Sequence, residues 1–331
     1  MFQRIIVPLD GSKSAEGAIP VASRLARACG GSIVFVRVVP PPVELGKYAK
    51  QHSVAWERAA YETHHAQAAS YLVGTTLKYG NDLAGIDVGL VVATGITNSA
   101  ICSAARLDHA DLIIMRSHEE SGFQRWLFGS ATQEVVRRSS IPVLILHEHG
   151  PGVPATRITR PLRILVPLNG SEESEMALSP ALELLSAFAG QQGGTLHLLR
   201  VIDLPTSESR IRSQAHINRQ SHTMQEAEAY LQRIRERLYA EHSATSWLHI
   251  TTSVIISTDI AGTITQQAEY NDDREDTGGS DLIVATNSEH KGIERLLMRG
   301  NITKRVLSST RLPMLVVHPQ ETPVQSSASN A

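Results

Sequence analysis

The chain has 331 residues, 42% hydrophobic and 19% charged, with a formal net charge of -2. That length is more than one ordinary core needs and suits two domains of about 150 residues each. The near-neutral balance supplies no basic field for nucleic acid, and no apolar run of about eighteen residues exists to span a bilayer, so neither is an expected partner.

In chain order, the opening MFQRIIVPLDGS runs straight into a strand-like segment without the basic, apolar and cleavage regions of a signal peptide, which predicts a cytoplasmic protein. Strands are predicted at Ile5–Leu9, Ser32–Val39, Val88–Val92, Asp111–Met115 and Pro142–His147. Between the first two, Ala15, Ala18, Ile19, Ala22, Leu25, Ala26 and Cys29 recur at helical spacing and stop at Gly30 and Gly31. Cys29 and Cys102 lie in apolar helical patterns without a CxxC partner and read as reduced core residues.

His64 and His65 are adjacent and diverge on a helix, so they read as a solvated pair. His147 and His149 would share a strand face, yet no third ligand is in view and no metal is assigned. EHGPGVPATRITRP, at 148–161, has the glycines, prolines and lack of periodicity of a linker.

The chain then repeats itself. IIVPLDGS at 5–12 returns as ILVPLNGS at 164–171, DLIIM at 111–115 as DLIVA at 281–285, and IPVLILH at 141–147 as LPMLVVH at 312–318. Three matched blocks in one order define a repeated domain. The boundaries expected are 1–149 and 163–318, joined by a linker over 150–162 and followed by a disordered tail at 319–331. In the second copy, Ala227, Leu231, Ile234 and Leu238 form one helical stripe. The carboxylates of EYNDDREDTGGSD at 269–281 miss EF-hand spacing and read as a solvated insertion. Alternating strands and helices predict the α/β class, with parallel sheets covered on both faces and ligands at the carboxyl ends of strands where the order reverses.

These repeated (I/V)VP-L-(D/N)GS, DLI(I/V) and terminal apolar-strand blocks resemble the universal stress protein family in its tandem form, over nearly all of 1–318. The resemblance implies two doubly wound, five-stranded, Rossmann-like domains of the adenine-nucleotide alpha-hydrolase type, paired through their last strands. A homodimer is a further assembly it implies. In some members ATP, with its Mg, is held by a G-x2-G-x9-G-(S/T) loop, an acidic residue after the first strand and a valine after the second.

Carried over by position, the first copy offers Asp10 for the acid, within Asp10-Gly11-Ser12, and Val38 for the valine. Gly129 and Ser130 keep the last loop positions, with Thr132 in the helix behind them, but Arg116 and Glu119 replace the first two glycines. Side chains there limit how backbone N–H groups wrap a phosphate, and Glu119 adds repulsion of about 4 kcal/mol at about 4 Å and an effective dielectric near 20. A guanidinium at Arg116 could instead grip phosphate, or pair with Glu119 or Glu120. The second, weaker copy offers Asn169, Val201, Gly300 and Asn301, with Thr286 and Glu289 for the paired glycines and Arg299 inserted.

Each residue also has a plainer role. Ser130 fits a helix cap, Asp10 a turn, and Val38 core packing. No nucleotidyl-transfer, P-loop or acid/base constellation is present, so no enzyme activity beyond weak ATP hydrolysis is expected. The expected function is a stress-response module with weak adenine-nucleotide binding in the first copy. The alternative is a nucleotide-free scaffold whose sites have decayed.

Overall fold

Short runs of β-branched and aliphatic residues, each followed by an amphipathic stretch, are built to pair side by side and be covered by the helices between them. The computed structural model describes residues 2–41, 54–117, 130–153, 161–189, 193–203, 214–242, 247–270, 279–287 and 301–319. The first half contains β1 (Arg4–Pro8), α1 (Lys13–Glu16), α2 (Ile19–Cys29), β2 (Ser32–Val39), α3 (Val54–Lys78) and α4 (Gly80–Leu83). It continues with β3 (Val88–Thr94), α5 (Thr97–Leu107), β4 (Leu112–Ser117), α6 (Ser130–Arg138) and β5 (Val143–His147).

The second half repeats the order with β6 (Leu162–Pro167), α7 (Glu172–Glu175), α8 (Leu178–Ala189), β7 (Gly194–Asp203) and α9 (Gln214–Glu241). It ends with β8 (Leu248–Ser257), α10 (Ile260–Glu269), β9 (Leu282–Thr286), α11 (Ile302–Ser309) and β10 (Met314–Val317).

The strands form one sheet in the order β3-β2-β1-β4-β5-β10-β9-β6-β7-β8. Within each half every pairing is parallel and the order reverses beside the first strand, between β1 and β4 and between β6 and β9. This is the α/β, doubly wound, five-stranded arrangement, written twice. The halves join through β5 and β10, which run antiparallel with Leu315 opposite Leu144 and both side chains fully buried.

The DLI motifs have a structural cause. Asp111 accepts the backbone N–H groups of Gln3 and Arg4, and Asp281 accepts that of Arg163, so each aspartate pins its strand to the start of the half's first strand. The helical stripe Ala227, Leu231, Ile234 and Leu238 is buried along α9. Helix α2 ends where Gly30 turns left-handed at φ 65°.

One core layer, under α2, α3, α8 and α9, runs continuously through both halves. There Arg24 of α2 lies 5.0 Å over the Phe188 ring of α8 and donates to the Val153 carbonyl. The other layer lies under α5, α6, α10 and α11.

Two strands run further than the sequence pattern indicates. β3 reaches Thr94, and β4 reaches Ser117 through pairing of Ser117 with His147. β5, by contrast, stops at His147, and a turn follows, so His147 is buried while His149 is exposed and the shared strand face is not formed. His64 is exposed and His65 half-buried, with its ring 6.0 Å from that of Tyr61. Gly129, Glu119, Glu120, Glu289, Arg299, Gly300, the side chain of Ser130, residues 271–278 of the acidic segment and the tail from 320 lie outside the described residues. Among the described residues, no helix is long and apolar enough to cross a membrane, and no group of three metal-ligating side chains converges.

Candidate functional site

The strand-order reversal in the first half opens a crevice of about 300 Å3 at the carboxyl ends of β1, β2 and β4. Its floor and entrance are set by the Asp10-Gly11-Ser12 turn. Leu9 still bonds the Val36 carbonyl, and then the chain swings away at Gly11, whose φ of 91° favours glycine. The Ser12 N–H bonds the Asp10 carboxylate at 2.9 Å, and the Ser12 hydroxyl caps α1 by accepting from the Ala15 N–H at 3.0 Å. The second half makes the same turn, with Gly170 at φ 89° and Ser171 bonded to Asn169 at 2.9 Å. Acid and amide therefore serve the turn equally, and the difference between the copies is the charge at the crevice entrance.

Val38, Met115 and Ile101 supply apolar walls, and the buried Thr132, from the first turn of α6, supplies a hydroxyl-bearing one. These side chains belong to the layer under α5 and α6. Arg116 belongs to the other side. Because β4 continues through Ser117, side-chain alternation that sends Met115 toward the crevice sends Arg116 toward α1. There its guanidinium lies against Gly17 and donates to the Glu148 carbonyl.

A polar network absent from the sequence reading lies beneath the turn. Arg37, between Val36 and Val38 on β2, donates to the Leu9 carbonyl at 3.3 Å and stacks 5.6 Å over Tyr71 of α3. Tyr71 donates to buried Glu16 at 3.2 Å, and Glu16 also accepts from Tyr79 and from Lys78. Burial pushes the Glu16 carboxyl up, but these bonds from Lys78, Tyr71 and Tyr79 outweigh it and hold the group below its usual range. The second half repeats the network: Arg200 lies 5.3 Å over Tyr230, which donates to Glu175 at 2.9 Å, and Glu175 pairs with Arg237 at 2.7 Å. Burial, then the bond to Glu175, pushes Tyr230 up to about 12. The signal that could have found these residues was the repeat itself, since Arg, Glu and Tyr recur at matching positions.

The second crevice is smaller, about 140 Å3, and lined by Asn169, Val201, Thr286 and Asn301 among others. Asn301 is engaged with its own surroundings: its side chain accepts from the Lys304 N–H at 3.0 Å and donates to Asn287 at 2.9 Å. Thr303 donates to the Thr286 carbonyl at 2.7 Å, and Arg305 pairs with Asp259 at 2.8 Å, tying α11 to the start of α10. The polar groups at this helix start satisfy one another.

A sequence model of the universal stress protein family matches residues 1–147 and again 162–318. A universal stress protein of Methanocaldococcus jannaschii is 24% identical over 155 residues, 44% of this chain and 95% of that protein. One of Thermus aquaticus is 28% identical over 147 residues, 44% of this chain and 99% of that one. Among solved structures, a universal stress protein of Archaeoglobus fulgidus superposes with a TM-score of 0.64 at 17% identity, covering 96% of this chain and 99% of that one. A putative universal stress protein of Pseudomonas aeruginosa gives 0.58 at 16% identity, covering 96% and 94%.

Proposed function

This chain belongs to the universal stress protein family, and from that premise we propose that it is a binding module whose first half weakly holds an adenine nucleotide while its second half serves as a structural partner. The observation that carries the reading is the first crevice, which joins a carboxylate at Asp10, apolar walls at Val38, Ile101 and Met115, and a buried threonine at Thr132. Apolar walls suit a planar base, and a carboxylate at a strand's carboxyl end suits sugar hydroxyls. Helix α6 begins at Ser130, and in this reading that helix start is the phosphate side. Mg enters this reading only as the companion of a bound phosphate chain.

In the second half, Asn169 removes the charge and Asn301 and Thr303 spend their polar groups locally, which supports a weaker site there. The same local satisfaction favours the second reading, a nucleotide-free scaffold, for that half.

Mass spectrometry of small molecules released from the purified, heat-denatured full chain is the first test. The second is calorimetric titration with AMP, ADP and ATP on the wild type and on Val38→Trp and Val201→Trp. One site per chain, lost in Val38→Trp and kept in Val201→Trp, is expected. Absence of any copurified nucleotide together with no heat at millimolar ligand would leave the scaffold reading alone.

A further inference from the structure

We infer that the outer face of helix α3, with the edge strand β3 beside it, is a docking surface for a second copy of this chain. The inference is independent of the nucleotide reading. Ala59, Thr63, Ala66, Ser70, Val73 and Leu77 recur at alternating steps of four and three, and all six are exposed. That spacing gathers them into one stripe opposite Ala68, Leu72 and Thr75, which bury α3 against its own sheet. The stripe carries no charge and ends in two large aliphatic side chains, Val73 at 50% exposure and Leu77 at 77%. The patch continues onto the sheet. Tyr71 points inward to Arg37 of β2, so the opposite flank of the helix, with Val73, lies toward β3. There Leu90, which shares a sheet face with Val88 and Val92 by strand alternation, is 41% exposed. Among the described residues β3 pairs with β2 alone, and its sequence VGLVVAT lacks the charge or proline that protects a sheet edge.

The repeat supplies the comparison. Counting from the matched Tyr71 and Tyr230, helix α9 places Gln225, Ala229, Gln232 and Glu236 where α3 has Ala66, Ser70, Val73 and Leu77, and Gln232 bonds Glu236 at 3.0 Å. One copy of the helix turns a polar surface to water, and the other an apolar one.

Charge and geometry select the occupant. The described charged side chains of α3 pair within the chain, Arg58 with Glu62 at 3.0 Å and Lys78 with Glu16, so the face is matched to an uncharged partner surface. An antiparallel copy about a two-fold axis supplies one, setting the same small and aliphatic residues against each other. Strands β5 and β10 already pair with each other, so a further copy must meet the chain elsewhere. Helix α3 has 25 residues, which makes it about 37 Å long and about 10 Å wide, and its outer half offers on the order of 600 Å2 per copy before β3 is added. Stable interfaces bury about 800 Å2 per partner.

The test is sedimentation equilibrium of the full chain across the micromolar range. A reversible dimer with a micromolar dissociation constant is expected. The double change Val73→Glu/Leu77→Glu should weaken it at least ten-fold by setting like charges against each other, with the thermal unfolding midpoint of the monomer unchanged because both positions are exposed. Gln232→Glu, the matching change on α9, should leave the dimer intact. Under mild oxidation Ser70→Cys should give disulfide-linked dimers, and Ala229→Cys, its counterpart, should not. A chain that stays monomeric at several hundred micromolar overturns the inference and leaves the face to a different protein. A dimer that Val73→Glu/Leu77→Glu leaves intact overturns it as well, since another surface then holds the copies together.

Discussion

Arg116 lays its guanidinium in the space that a side chain at Gly17 would need. In the second half Met176 stands where Gly17 does, and Thr286 stands where Arg116 does. In the first copy a large residue on the strand meets glycine in the turn after α1, and at the matching positions of the second copy the sizes are exchanged. Gly17 has φ -62°, open to any residue, so its lack of a side chain answers to Arg116 and not to backbone strain.

That exchange predicts coupling between the two positions. Gly17→Met alone should cost roughly 1–3 kcal/mol by overpacking. Arg116→Thr alone should cost about 1–2 kcal/mol through the lost bond to the Glu148 carbonyl. The double change, which installs the second half's pair, should cost clearly less than the sum. Urea unfolding of the four proteins measures this, and additive costs would show that the exchange is incidental.

The repeated network predicts matched effects in the two halves. Tyr71→Phe and Tyr230→Phe each remove a bond to a carboxylate and should each cost about 1–2 kcal/mol. Because the Glu16 carboxyl is held below its usual range, its contribution is complete above its unfolded pKa and fades as pH falls through the lower folded one. Glu16→Gln should therefore lower stability at pH 7 and flatten the stability profile below about pH 4.5. Unfolding midpoints from pH 7 to pH 3 check both.

One buried and one half-buried histidine set a second acid dependence. His197 on β7 has its ring nitrogens 2.8 Å from Thr251 Oγ1 and 2.9 Å from Ser253 Oγ, and burial, assisted by Arg163, pushes it down to about 4. Burial pushes His147 down to about 4 as well. A histidine lowered on folding is neutral in the native state while the unfolded chain takes up protons below about pH 6.5. Stability should fall as pH drops from about 6.5 toward 4, by on the order of 2 kcal/mol per histidine between pH 7 and 5. His197→Val places at this position the residue type of its counterpart Val34, and it should remove about half of that slope. An unchanged slope would discount His197 as a source.

The junction predicts shared stability. Leu144 and Leu315 face each other across the antiparallel pair and are fully buried, so Leu144→Ala and Leu315→Ala should each cost about 2–5 kcal/mol. Since one core layer runs through both halves, each variant should still unfold in a single calorimetric transition. Two separated transitions would show that the halves melt independently.

Local chemistry made much of this protein legible from its sequence. The periods of two and 3.6 placed the strands and helices, and the internal repeat gave the two-part plan. The Asp-Gly-Ser and Asn-Gly-Ser turns follow from residues adjacent in the chain. What depended on distance was hidden. Whether Arg116 faced a phosphate or helix α1 turned on how far β4 extends, because side chains alternate along a strand and its pairing with β5 carries that alternation through Ser117. The ties from Arg37 to Tyr71 and from Tyr71 to Glu16 join segments far apart in sequence, so no local pattern reports them. Sequence fixes which residues can bond and which face each element buries; only packing brings particular partners within hydrogen-bonding reach and determines which charges still face the crevice.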